Sequence, residues 1–344
     1  MRLTMKRFYT PFLLLSICLA SNAQSFWLGA DISGTTELET RGVQLRNAKG
    51  EPRENTALMH ELGLNAVRLR VWVNPKDGLC SKDDVVKMAR RSKDWGMALM
   101  IDFHYSDWWA DPGHQDIPAA WKEMNFEQMK QALADHTREV LQAIKQTGTD
   151  VRWVQVGNET TNGFLWPMGR AQDQMRQYAG LTDAGYVAVK QVFPKADVII
   201  HLDGAFDPKR YDFIFDGLKK YSARYDMIGL SVYPYWDMKG NHTKSWQETV
   251  EKATENINRL WTKYRKPLMV VETGVEAQKP VEGKEILSAI IDASMNKTNG
   301  HCLGVFYWAP EAERYYKLGA FQNNRPTIIM DAFTEAARRM MNVH

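Results

Sequence analysis

The chain alternates short apolar runs with longer amphipathic ones. The apolar runs cover residues 27–32 (WLGADI), 64–73 (LNAVRLRVWV), 97–103 (MALMIDF), 151–156 (VRWVQV), 197–202 (DVIIHL), 226–233 (DMIGLSVY), 268–272 (LMVVE) and 301–308 (HCLGVFYW). Each is rich in β-favouring residues and is flanked by turn-forming ones, which predicts a buried strand. The stretches between them predict helices over 52–62, 81–95, 125–147, 171–192, 211–221, 245–264, 282–296 and 331–341. Over 125–147, Phe126, Met129, Leu133, Val140 and Ile144 form one stripe, Asn125 and Gln128 read as a capping box, and Gly148 stops the helix. Ser81 caps the helix before Gly96, and Ser245 with Glu248 reads as a second capping box, with Trp246, Val250, Ile257 and Leu260 facing inward. Strands alternating with helices imply a parallel sheet. Eight such units in series, with no break in composition between them, predict an α/β fold: a single (β/α)8 TIM barrel over residues 24–344.

The first residues do not fit that pattern. Residues 1–7 are basic, 12–20 are apolar, and Ser21-Asn22-Ala23 places small residues where a signal peptidase reads. This predicts a secretory signal peptide over 1–23, cleaved before Gln24, with an apolar core too short to span a bilayer. Ile17 stands before Cys18 where a lipoprotein signal needs a small residue, so release is expected over acylation. The expected product is exported to the bacterial envelope or beyond: secreted, periplasmic or held at the cell surface. No later stretch reads as a membrane span. A monomer is expected.

Net charge is +3 over 344 residues, with acids and bases interspersed, so nothing points to nucleic acid. The 12 Trp and 13 Tyr are many for this length, and exposed rings of that kind stack on sugars. The barrel topology places Cys80 near the carboxyl end of the second strand and Cys302 at the amino end of the eighth. That separation exceeds the span of a disulfide, so free thiols are expected.

A barrel carries its chemistry at the carboxyl ends of its strands. Those ends read Asp31, then Arg70 and Trp72, Asp102 and His104, Asn158 and Glu159, His201 and Asp203, Tyr233, Glu272 and Trp308. Two of them are Glu at the mouth of a buried strand. Glycoside hydrolysis needs such a pair, ~5–5.5 Å apart with retention of configuration and ~6.5–9.5 Å with inversion. Arg68 or Arg70 near Glu272 would lower its pKa and keep it ionised, as a nucleophile requires. Glu159, among Asn158, Trp166 and other less charged groups, would keep its proton, as an acid requires. Asn158 would bond a sugar hydroxyl and Tyr233 would orient Glu272.

Other readings compete with this one. Arg68 and Arg70 could be buried ion-pair members only. Asp102, His104, His201 and Asp203 could ligate a metal in a barrel hydrolase, although they lack a tight His-x-His pair. A non-catalytic sugar-binding barrel would typically have lost one of the two Glu. Asn158-Glu159-Thr160 is formally a glycosylation sequon, and a glycan there would block the cleft, so the expected host is one that does not glycosylate such sites, a bacterium exporting to its envelope or beyond.

Longer segments carry a resemblance. They are Gly29–Ser33 (GADIS), Val67–Pro75 (VRLRVWVNP), Asp102–Gly113 (DFHYSDWWADPG), Val156–Glu159 with Asn162–Pro167 (VGNE, NGFLWP), Ser231–Pro234 (SVYP) and Val270–Thr273 (VVET). Together they resemble glycoside hydrolase family 53, the endo-β-1,4-galactanases of the clan A retaining glycosidases. The resemblance implies Glu159 as acid/base and Glu272 as nucleophile in a double displacement on β-1,4-galactan of type I arabinogalactan. It implies Trp108, Trp166 and Trp308 in the sugar groove, Asp107 in a supporting role, and no required cofactor. Three features depart from it. Trp308 is followed by Ala309-Pro310-Glu311 rather than Glu-Pro. Thr273-Gly274-Val275-Glu276 lacks an aromatic residue and a proline. The short loop 309–325 weighs against the structural calcium of bacterial relatives. Spacing alone leaves the other clan A specificities, mannanase, xylanase and cellulase, as alternatives.

Overall fold

The computed structural model describes residues 26–313 and 315–342. The signal segment read over 1–23 lies outside the described residues. The elements run β1 (Trp27–Asp31), α1 (Thr35–Thr40), α2 (Asn55–Glu61), β2 (Ala66–Val71), α3 (Lys82–Asp94), β3 (Ala98–Phe103), α4 (Phe126–Gln146), β4 (Val151–Val156) and α5 (Ala171–Val192). They continue with β5 (Asp197–Leu202), α6 (Pro208–Lys220), β6 (Met227–Val232), α7 (Pro234–Lys239), α8 (Trp246–Tyr264), β7 (Leu268–Thr273), α9 (Pro280–Asn296), β8 (Cys302–Trp308), the hairpin β9 (Phe321–Gln322) and β10 (Arg325–Pro326), and α10 (Asp331–Met341). Strands β1 to β8 pair in sequence order, all parallel, and β8 closes onto β1. The molecule is a (β/α)8 barrel.

Alternation along each strand divides its side chains between two environments. On β2, Val67, Leu69 and Val71 join the shell between sheet and helices. Ala66 belongs to a separate cluster inside the barrel, with Met100, Trp153, Met227, Met269 and Phe306. Trp153 meets Trp27 edge-on at 5.0 Å between ring centres, and Phe306 at 6.1 Å. Gly29 makes room for this plug, because a Cβ there would lie 2.3 Å from the Phe306 ring.

The helices begin and end for local reasons. Asn125 caps α4 in a full capping box with Gln128. At α8 only half the expected box forms. Ser245 Oγ accepts from Glu248 N at 3.2 Å, but the Glu248 carboxylate turns back to Lys244 N at 2.6 Å instead of to Ser245. Helices α1 and α7 and the β9–β10 hairpin add to the elements the sequence predicts, each being too short to show a period. Cys80 and Cys302 are buried and unpaired. Among the described residues no helix is long and apolar enough to cross a membrane.

Candidate active site

The next inward position on β2, beyond Ala66, is Arg68. Its side chain is fully buried and contacts several other strands. Nη1 donates to Asp31 Oδ2 on β1 at 2.7 Å. Nη2 lies 2.9 Å from Asp102 Oδ2 on β3 and 2.8 Å from Glu272 Oε1 on β7. Nε donates to Gln155 Oε1 at 2.6 Å, and Nη2 also reaches Asn158 Oδ1 at 2.8 Å. One guanidinium thus faces three carboxylates. Burial penalises its charge, but Asp102, Glu272 and Asp31 outweigh that and raise its pKa. Burial also works against ionised Asp102, yet Arg68 and His104 hold its carboxyl below the usual range.

Glu272 does not follow the expectation that a neighbouring cation depresses its pKa. Burial pushes the carboxyl up to about 7, with Arg68 opposing and Asp102 and Asp31 adding to the rise. The physical reason is that Arg68's single charge is shared with two other acids and cannot offset the desolvation of a third. Tyr233 donates to Glu272 Oε2 at 3.1 Å and fixes the carboxylate from its other side.

Glu159 is delivered by a strained turn. Gly157 takes φ 88°, where a Cβ would lie 2.4 Å from Thr160 Cγ2. Glu159 itself sits at φ 45°, a left-handed conformation that costs a non-glycine residue about 1–2 kcal/mol. The turn is tied to the neighbouring strand by Thr160 N donating to His201 O at 2.8 Å. Glu159 Oε1 lies 2.6 Å from Ser231 Oγ. Burial, then the nearby charges of Glu272 and Asp203, raise the Glu159 carboxyl well above its ordinary value.

Both Glu line one cavity of about 440 Å³ at the carboxyl end of the barrel. Asn158, Ser231 and Tyr233 share its base, and Trp109, Trp236, Trp308 and Tyr316 form its aromatic walls. The four residues considered as metal ligands separate into different contacts. Asp102 Oδ2 meets His104 Nε2 at 3.0 Å as well as Arg68. His201 lies between Asn158 and Ser231, and Asp203 pairs with Arg210 and Thr161. Among the described residues no three His, Cys, Asp or Glu side chains are grouped to hold a metal ion.

The model of glycosyl hydrolase family 53 matches residues 27–282. The chain belongs to that family. A probable arabinogalactan endo-beta-1,4-galactanase A of Neosartorya fischeri is 30% identical over 96% of this chain and 96% of its own length. An endo-beta-1,4-galactanase of Bacillus subtilis is 30% identical over 83% of this chain and 70% of its own. Among solved structures, a fungal beta-1,4-galactanase superposes with a TM-score of 0.81 at 26% identity, covering 90% of this chain and 99% of that one. This family 53 member is therefore a glycoside hydrolase.

The residues singled out in the sequence fall into three groups. His104, Asn158, Glu159, Asp203, Tyr233, Glu272 and Trp308 line the cavity. Asp31, Arg68, Arg70 and His201 are buried below or behind its walls. The Arg70 guanidinium, for example, lies 3.9 Å from the centre of the Trp109 ring. Asp107, Trp108 and Trp166 do not line it. Asp107 accepts from Asn74 N at 3.0 Å and Ala119 N at 2.8 Å, joining two loops. Trp108 is 59% exposed and stacks on Trp72 at 5.0 Å, so it is the adjacent Trp109 that turns inward. Trp166 is held by its own loop through Nε1 to Asn162 O at 2.8 Å.

Ser231, Trp109, Trp236 and Tyr316 also line the cavity and do not follow from the sequence reading. The paired Trp in DFHYSDWWADPG, Tyr235-Trp236 after SVYP and Tyr315-Tyr316 after β8 are the signals for the three aromatics, and Ser231 has none beyond its place in SVYP. The sequon at Asn158 leaves no room for a glycan, since the residue is buried and Nδ2 donates to Ala110 O at 2.8 Å. Glu311, in the segment that departs from the family pattern, is buried, neither carboxyl oxygen has a hydrogen-bond partner among the described residues, and burial pushes it up to about 8.

Proposed function

We propose that this family 53 glycoside hydrolase cleaves internal β-1,4-galactosidic bonds of galactan with retention of configuration, as an exported enzyme. The observation that carries the chemistry is an asymmetry within one cavity. Glu272 touches a cation, Arg68, while the charges that act most strongly on Glu159 are those of other carboxylates. The shared proton therefore belongs on Glu159, and Glu272 is the member of the pair best able to ionise.

In the first step Glu272 attacks the anomeric carbon as Glu159 gives its proton to the departing glycosidic oxygen. A galactosyl ester forms on Glu272 and the shortened chain leaves. In the second step Glu159 takes a proton from water, the water oxygen attacks the same carbon, and Glu272 leaves as a carboxylate. Two displacements restore the β configuration. The aromatic walls supply flat apolar faces against which sugar rings pack. The substrate assignment rests on the galactanase relatives, and export rests on the amino-terminal pattern.

Digestion of linear β-1,4-galactan beside β-mannan, xylan and cellulose tests this, with product sizes and the anomeric configuration of fresh products read by NMR. Galactan cleaved to oligosaccharides of β configuration is the expected outcome. Fresh α products would remove the retaining mechanism, and cleavage of another glycan in place of galactan would remove the substrate.

A further inference from the structure

Three hydrogen-bonding groups run in a line behind Glu159. Glu159 Oε1 is 2.6 Å from Ser231 Oγ, and Ser231 Oγ is 2.8 Å from His201 Nε2. His201 Nδ1 is 3.0 Å from Asn158 Oδ1. The direction of the whole line depends on which way the Asn158 amide faces, and its surroundings settle that. Arg68 Nη2, which can only donate, reaches Asn158 Oδ1 at 2.8 Å, and Asn158 Nδ2 donates to the Ala110 carbonyl at 2.8 Å. Turning the amide over would set donor against donor and oxygen against oxygen. Oδ1 is thus fixed as an acceptor.

His201 Nδ1 must then carry hydrogen to meet Oδ1. Burial, and after it the charge of Arg68, drives the His201 pKa well below its ordinary value, so the ring is neutral and Nε2 is bare. One contact opposes this tautomer. Glu159 N–H also points at Nδ1, at 3.3 Å. That is the longer contact, and setting two N–H groups against each other at 3.3 Å costs less than pressing two lone pairs together at 3.0 Å inside the protein. A bare Nε2 takes the Ser231 hydroxyl hydrogen. The Ser231 oxygen can then only accept from Glu159.

We propose that Ser231 and His201 are positioning residues for the acid: His201 Nε2 holds the Ser231 hydroxyl hydrogen away from Glu159, so that Glu159 rests protonated and donates to Ser231 Oγ. When Glu159 gives up its proton, the Ser231 hydroxyl turns from His201 to Glu159, and His201 Nε2 loses its partner. That loss is a cost on the ionised form. It is recovered when Glu159 takes a proton back from water. The inference rests on the reading of Glu159 as acid/base.

The other groups facing Glu159 are Glu272 on β7, Asp203 beyond β5 with Arg210 beside it, Arg68 on β2, and the hydroxyls of Tyr211, Tyr233 and Tyr316. Those facing His201 are Arg68, Asp102 and His104. None of these is changed by the two variants below.

The test is the alkaline limb of kcat/KM on galactan, where turnover falls as Glu159 ionises. Ser231→Ala removes the donor of the ionised form, but also the acceptor of the protonated form and the bond that His201 loses on ionisation, so its limb moves by less than about one pH unit. His201→Phe removes the competitor and frees Ser231 to donate to Glu159, so the limb moves down by roughly one pH unit. No shift or an upward shift in His201→Phe overturns the proposal, because a Ser231 that already donates to Glu159 loses support with His201, and so does an equal downward shift in both variants, which simple loosening of the site would give.

Neutron diffraction from wild-type crystals at pH 6 decides the matter if a variant fails to fold. Hydrogen on His201 Nδ1 and on Glu159 is expected, and hydrogen on Nε2 overturns the inference. The acid assignment fails separately, if Glu159→Gln keeps wild-type turnover on galactan.

Discussion

Met100 and Asp102 project into the barrel from the same strand, two positions apart, and so do Trp153 with Gln155 and Ile199 with His201. The first of each pair joins the apolar plug, and the second joins the polar layer around Arg68 or its neighbours. The backbone and the pleat are shared, and only the level differs. The plug gains stability from every methylene it buries. The layer above it buries one guanidinium against three carboxylates, and every member costs free energy to desolvate. One layer closes the barrel, and the other is carried by it.

This contrast can be broken or sharpened by substitution. Glu272→Ala should lower kcat on galactan by at least about three orders of magnitude with far-UV circular dichroism unchanged. Wild-type turnover would end the proposal that it is the nucleophile. Arg68→Met should abolish turnover too, and should cost on the order of 3–5 kcal/mol in urea unfolding, because it strands three buried acids. If the variant proved as stable as wild type, the polar layer would not depend on the ion pairs described. Trp153→Ala should cost a similar ~3–5 kcal/mol while kcat per folded molecule stays within a few-fold. A collapse of kcat at temperatures where that variant is folded would mean that the two levels are not separable.

Glu311→Gln addresses a buried acid outside both layers. The native pKa is raised above the unfolded value to about 8, so its stabilising effect is complete below the unfolded pKa and is lost as pH rises through 8. The variant should therefore gain stability over wild type between pH 5 and pH 9, by a few kcal/mol at most. An unchanged difference between the two across that range, followed by thermal unfolding, would show that Glu311 ionises without strain. Trp108→Ala should do least, under ~1 kcal/mol in stability and a few-fold in KM, since the ring lies on the surface outside the cavity wall.

The strands were legible because a parallel barrel buries both faces, so each strand is a nearly continuous apolar run against polar surroundings. For the same reason the polar residues that interrupt those runs, Arg68 and His201 among them, stood out. The choice between Arg68 and Arg70 was not legible. Both share an inward face, and only the level at which the other strands present their acids makes Arg68 the hub and turns Arg70 toward Trp109. The cavity walls were less legible still. Trp109, Trp236 and Tyr316 come from the segments after β3, β6 and β8, where no period operates, and nothing local distinguishes the inward Trp109 from the outward Trp108. Ser231 was hidden by size, a small hydroxyl within an apolar run whose partners are set by how β6 lies against β5.

The left-handed backbone at Glu159 bears on what lineages descending from this chain would keep. Gly or Asn adopts φ 45° with less strain than Glu, and neither brings a desolvated carboxyl beside Glu272 and Asp203. A descendant kept only to hold galactan would be free to drift toward one of them, and its fold would gain. On the proposed acid role, glutamate at that position is a standing expense, met for as long as selection acts on turnover and not on binding alone.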